Sequence, residues 1–185
     1  KTLGPDVNES YRSFGVNEHG EIRFGLSAIK GMGAPAADAI VEERQKNGPY
    51  KTIFDFAERV DFSNVNRKAF ETLALSGGFD SFGLRREQYF GKNGKGETFL
   101  DTLVRYGQLY QREQQEAATS LFGGEEAVEI ATPPIPEGET WSTIEKLNRE
   151  RELVGIYLSA HPLDEYELIL NNLCNTHCTE LDDKM

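Results

Sequence analysis

The run Ile29-Lys30-Gly31-Met32-Gly33-Ala34 constrains this chain more than any other feature. A short apolar segment precedes it and an amphipathic one follows. Two glycines separated by one apolar residue permit a tight turn with backbone angles that other residues avoid. Met32 can then point into a core. The amides of the turn and of the next helix start face outward together. Such orphan donors, at the positive end of a helix dipole, make an anion site. A phosphodiester oxygen suits it, and nothing in it reads a base edge. Lys30 and Arg44 are placed to add positive charge.

The neighbouring punctuation is helical. Pro35 fits a first helical turn, where a missing N–H costs nothing. Ala37, Ile40 and Val41 form one apolar face, and Asn47-Gly48-Pro49 stops the helix. Thr52 and Asp55 resemble a capping box that opens a short helix through Val60. A further helix runs from Asn66 to Ser76, with Phe70, Leu73 and Ala74 on one side, and ends at Gly77-Gly78. Another helical stretch is predicted from Leu84. The spacing of Phe99, Leu103, Tyr106 and Tyr110 predicts a helix over residues 98–118. Upstream, Phe14 and Val16, then Ile22, Phe24 and Leu26, alternate around a polar turn at residues 17–20, which predicts a β-hairpin. Residues 123–139 read as an acidic linker with three prolines. Ser142 and Glu145 cap a helix through Leu153, residues 154–160 read as a short strand, and residues 163–173 read as helical. The fold class is mainly α.

Charge decides where an anionic partner could sit. The 185-residue chain has a net charge of −11, which by itself argues against a polyanion. Residues 1–27 carry net −1 and residues 96–185 net −12, whereas residues 28–95 hold 11 basic and 9 acidic side chains, net +2. A nucleic-acid surface belongs in that middle stretch. Within it, Leu75-Ser76-Gly77-Gly78-Phe79 repeats the pattern of helix, glycine turn and onward chain, with Arg85 and Arg86 just beyond. Two such units form a tandem helix–hairpin–helix that grips both strands of a duplex. The expected DNA-binding set is Lys30, Gly31, Met32, Gly33, Ala34, Arg67, Lys68, Gly77, Gly78, Phe79, Arg85 and Arg86.

Longer stretches carry a family likeness. Residues 5–10 (PDVNES), 22–33 (IRFGLSAIKGMG), 39–50 (AIVEERQKNGPY), 54–61 (FDFAERVD), 75–83 (LSGGFDSFG) and 145–166 (EKLNRERELVGIYLSAHPLDEY) resemble the bacterial DNA polymerase III alpha subunit family. The resemblance implies four regions. Residues 1–28 end a fingers region with the β-hairpin, and residues 29–118 are the tandem helix–hairpin–helix domain. Residues 119–140 are a linker with a clamp-docking peptide, and residues 141–185 are a helical connection toward an OB-fold. It also implies double-stranded DNA, the sliding clamp and other replicase subunits as partners, and magnesium as the cofactor of a nucleotidyl-transferring parent. Ser120, Leu121 and Phe122 are the implied clamp-binding residues. Ala118 stands where the family's peptide opens with Gln, which removes an amide but leaves the two apolar anchors.

Several other readings give way. No Asp-x-Asp pair is present to hold two metal ions, so no catalytic residue and no cofactor are assigned within the chain. The loop GKNGKG (residues 91–96) lacks the Ser or Thr of a nucleotide-binding loop and reads as a surface turn. Cys174, His177 and Cys178 are too crowded for the usual paired zinc spacing, and Asp182-Asp183 reads as a solvated pair. His161 has no nucleophile beside it in sequence, and Trp141 reads as an anchor for the helix after it. Two cysteines, no secretory signal and no membrane span point to the cytoplasm. The absence of an initiating Met suggests a piece of a longer chain. The competing functional class is a protein-interaction module that uses the same hairpins without DNA. A repair nuclease is disfavoured by the lack of a carboxylate cluster.

Overall fold

The computed structural model describes residues 1–119 and 130–173. Ser120, Leu121, Phe122, Cys174, His177, Cys178, Asp182 and Asp183 lie outside the described residues. The described chain is mainly helical, as expected, with a small sheet at its start. Strands β1 (Thr2–Leu3), β2 (Gly15–Val16) and β3 (Ile22–Arg23) are arranged β1-β3-β2. The expected hairpin is the antiparallel β2–β3 pair, with Val16 opposite Ile22. The parallel β1–β3 pairing was not legible, because a two-residue strand carries no periodicity. Phe24 is buried beyond the end of β3, and Leu26 enters a 3-10 turn, Leu26–Ala28.

Helix α1 spans Ala34–Asn47, α2 Ile53–Arg59, α3 Arg67–Ser76, α4 Phe99–Thr119, α5 Thr143–Val154 and α6 Glu167–Leu173. The starts follow local chemistry. Thr52, Asn66 and Ser142 each accept the backbone N–H three residues on. Asp55 completes its box one residue early, accepting from the amide of Lys51 rather than that of Thr52. Glu145 instead pairs with Arg149 at 2.7 Å. At the head of α4, Thr98 and Asp101 cap each other.

Aromatic rings fill the centre. Phe56 of α2 meets Phe70 of α3 at 5.3 Å and Phe79 at 5.0 Å, and Phe62 stacks on Phe70 at 5.9 Å. Each such pair adds about 0.5–1.5 kcal/mol beyond the area it buries. Helix α4 closes against α2 at Gly107, where an added Cβ would collide with the carbonyl of Ala57 and the ring of Phe62. Tyr106 also bonds Glu58, and the Gln111 amide donates to Val60 O at 2.7 Å.

Two expectations fail. The stretch from Leu84 forms only a 3-10 helix, Arg86–Phe90, rather than an α-helix. Residues 154–160 form no strand. Gly155 ends α5 in a left-handed conformation, and the chain then folds back so that the amides of Leu158 and Ser159 both donate to Glu150 Oε1 at 2.8 Å. Residues 130–141 have no regular structure but lie against the domain. Arg85 donates to Glu137 O, Gln88 donates to Pro136 O, and Trp141 packs on Phe90 at 5.4 Å.

Candidate nucleic-acid interface

The first glycine turn joins the 3-10 turn Leu26–Ala28 to α1. Ile29 and Met32 are both buried, which pins the turn to the core from below. The Met32 amide donates to Ile29 O at 3.0 Å, and the Lys30 amide to Leu153 O of α5 at 2.9 Å. Gly31 adopts φ +90°, a conformation that favours glycine. Gly31 and Gly33 are exposed and Ala34 is half-buried. Among the described residues, the amides of these three donate to no protein acceptor. They sit at the N-terminal end of a 14-residue helix, where the dipole favours an anion. Lys30 is exposed and takes part in no ion pair among the described residues. Arg44 turns elsewhere: it donates to Val7 O at 2.7 Å and lies over Tyr11.

The second exposed set of amides is not where the glycines placed it. Gly77, Gly78 and Phe79 are buried. The amides of Gly77 and Gly78 both donate to Leu73 O, so this is a helix C-terminus that satisfies its own carbonyls. The expectation of free amides at those two glycines is thereby corrected. A second helix–turn–helix unit lies instead between α2 and α3. Val65 is buried, as Met32 is in the first turn, and Asp61 organises residues 63–65 through its side chain and its carbonyl. The amides of Asn66, Arg67 and Lys68, all exposed, donate to no protein acceptor among the described residues. The signal was present in sequence as an apolar residue directly before an Asn N-cap, but it carried no glycine to mark it.

The expected basic residues part company. Arg67 bonds Asp101 at 2.8 Å and Glu71 at 2.6 Å, and Lys68 reaches Glu71 at 3.3 Å. These are exposed pairs worth about 0–1 kcal/mol, so a phosphate can compete for them. Arg85 is half-exposed and faces Glu137 and Glu87. Arg86 is withdrawn from solvent. Its guanidinium bonds Asp80 at 2.6 Å and the buried Glu150 at 2.8 Å, and touches Ser159. Its place as a DNA contact is therefore corrected to that of a cross-brace between the domain and α5.

A groove of about 450 Å³ runs between the two units, lined by Pro35 and Asp38 of α1 and by Asp61 and Asn64 of the second turn. The start of α1 and the second turn thus border one surface. The groove also holds Glu42, Glu43, Lys46 and Arg59. Arg59 is already committed to Glu43 at 3.0 Å and Asp55 at 3.1 Å. Hydrogen bonds from Ser63 and Asn64 hold the Asp61 carboxyl below its ordinary range, so it stays charged. The floor of the groove therefore repels phosphate, and an anion is welcome only at the two helix starts on its rims.

Among the described residues, no three His, Cys, Asp or Glu side chains gather where they could hold a metal ion. No described helix is long and apolar enough to cross a membrane.

A family model described as a helix-hairpin-helix motif matches residues 1–89. The chain is also similar to curated relatives named DNA polymerase III subunit alpha. It is 40% identical to that of Chlamydia trachomatis over 91% of the chain, 35% identical to that of Pasteurella multocida over 99%, and 35% identical to that of Campylobacter jejuni over 90%. It spans only 13 to 15% of the length of these relatives.

Proposed function

The chain belongs, as a short segment, to the DNA polymerase III alpha family, and on that premise we propose that it holds duplex DNA by the phosphate backbone inside a replicative DNA polymerase. The observation that carries this reading is the pair of helix starts with unspent amides bordering one groove. Gly31, Gly33 and Ala34 would take one phosphate, and Asn66, Arg67 and Lys68 another. The side chains of Lys30, Arg67, Lys68 and Arg85 would supply the charge. Backbone amides at helix starts contact phosphates and not base edges, so the binding proposed is independent of sequence.

The parent protein would be the enzyme, extending DNA from nucleoside triphosphates with magnesium in the cytoplasm. The described residues do not fit that metal, and no chemical step is assigned to them. Clamp docking through Ser120, Leu121 and Phe122 rests on the apolar pair in the sequence. Replacing both Leu121 and Phe122 with Ala should abolish pull-down by clamp protein, and retained pull-down would move the docking site elsewhere. Contacts with other replicase subunits rest on family membership.

The test is titration of a fluorescent duplex with the chain at several salt concentrations. Contact with about two to four phosphates gives a log–log salt slope of roughly −2 to −4. A slope near zero would sink the phosphate mechanism. The net-acidic groove favours one rival reading, a protein-interaction module, and failure to bind duplex at low salt would favour that rival.

A further inference from the structure

The turn at residues 92–98 carries two cations that the pair of helix starts leaves unused. The backbones of Lys92 and Thr98 pair as an antiparallel bridge. Asn93 builds the turn between them. Its amide donates to Glu97 O at 2.9 Å, and its side-chain oxygen accepts the amides of Lys95 at 2.9 Å and Glu97 at 3.1 Å. Its carbonyl accepts the Gly96 amide at 2.9 Å, with Gly96 at φ +81°. An Asn-centred turn so bonded holds its backbone fixed. Lys92 and Lys95 are exposed, and neither takes part in an ion pair among the described residues.

This turn adjoins the second helix start. Asp101 accepts the Thr98 amide at 3.0 Å and the Arg67 side chain at 2.8 Å, so the turn, the head of α4 and the head of α3 are joined. The carboxylates in that chain of contacts are already matched. Asp101 and Glu71 face Arg67 and Lys68, and Glu97 faces Arg105. Lys92 and Lys95 are therefore a local surplus of positive charge on a chain of net charge −11. Such a surplus marks where a polyanion is attracted. Lys92 also borders a cleft with Glu139, so Lys95 carries more of the surplus.

We propose that the 92–98 turn is a third backbone contact for duplex DNA, with Lys92 and Lys95 meeting phosphates beyond the one held at the start of α3. The inference rests on the phosphate reading of the helix starts and extends it toward α4. A lysine suits this role because its ammonium is a point charge on a flexible stem and needs no fixed geometry at the phosphate. The fixed backbone of the turn sets where the two stems leave the surface. The continuity with Arg67 and Lys68 favours the duplex over an acidic protein segment as the occupant.

The experiment titrates a fluorescent duplex with the 185-residue chain at several salt concentrations, comparing Lys92→Ala, Lys95→Ala and a control, Lys51→Ala. Lys51 is also exposed and without an ion pair among the described residues, but stands before α2. Each turn variant should lower the log–log salt slope by about 1, and the control should leave it unchanged. In the unaltered chain, duplex should also shield Lys92 and Lys95, and not Lys51, from acetylation read by mass spectrometry. An unchanged slope in both turn variants, while the unaltered chain binds, overturns this contact and leaves the two helix starts standing. An equal fall in Lys51→Ala reduces the effect to net charge and overturns it too. Shielding by polyglutamate but not by duplex assigns the turn to an acidic protein segment instead. Failure of the unaltered chain to bind duplex at low salt overturns the phosphate reading and this contact with it.

Discussion

At the scale of single residues, the first turn is a case where sequence and structure agree for a physical reason. Gly31 must adopt φ +90°, and Met32 must reach the core, so the glycine–apolar order is required by the backbone, whereas Gly33 is extended at φ −71°. An added Cβ at Gly31 would meet only Thr72 Oγ1 at an ordinary 3.4 Å, so the penalty of Gly31→Ala is conformational, about 1–2 kcal/mol. The expected outcome is a small loss in thermal stability and a larger loss in duplex affinity, because the amide turns away. Anisotropy titration beside a thermal melt separates the two. The pair Gly77-Gly78 differs from its expected role because a glycine that ends a helix and a glycine that opens a hairpin look alike in sequence. The difference lies in the acceptor, Leu73 O, which is visible only in three dimensions. Arg67→Ala or Lys68→Ala should each reduce the salt slope of DNA binding by about 1, and Arg85→Ala by less, since it is shared with Glu137.

At the scale of elements, caps were legible and long-range braces were not. Thr52, Asn66 and Ser142 mark their helix starts within three residues of sequence. Glu150 is different. It gathers Arg86, Ser159 and the amide of Leu158 from positions up to 64 residues away, and so turns a strand-like apolar run into a fold-back. Burial opposes ionisation of Glu150, but the Ser159 hydroxyl, Arg86 and two backbone amides outweigh it and hold its carboxyl below the ordinary 4.5. A carboxyl depressed in the folded state stabilises above its unfolded value, and that stability is lost as pH falls through the folded one. Acid should therefore loosen α5 below about pH 4.5, read as a falling melting temperature that flattens in Glu150→Gln. Glu150→Ala leaves Arg86 with Asp80 as its remaining ionic partner and frees the amides of Leu158 and Ser159, and should cost about 1–3 kcal/mol in chemical denaturation. Gly107→Ala should destabilise by about 1–3 kcal/mol, because the carbonyl of Ala57 is backbone and cannot swing aside.

At the scale of the whole molecule, charge sets a limit on affinity. The two helix starts are local exceptions on a chain of net charge −11, and the groove between them is net acidic. Duplex binding by the 185-residue chain should accordingly be weak and vanish by roughly 0.2 M salt, where a protein with more phosphate contacts would persist. The charge map of the sequence shows which stretch is net basic, but not which carboxylates fold in to line the groove. Those come from α1 and the second turn, each unremarkable alone. The bond from the Lys30 amide to Leu153 O ties the first turn to α5. Lys30 lies on the surface directly before Gly31 and the unspent amides of the turn, so its proton should trade with deuterium as quickly as theirs. Instead its exchange must wait for α5 to lift, and its rate becomes a clock for that opening. In Glu150→Gln the clock should run faster while Met32, bonded within its own turn, keeps its pace.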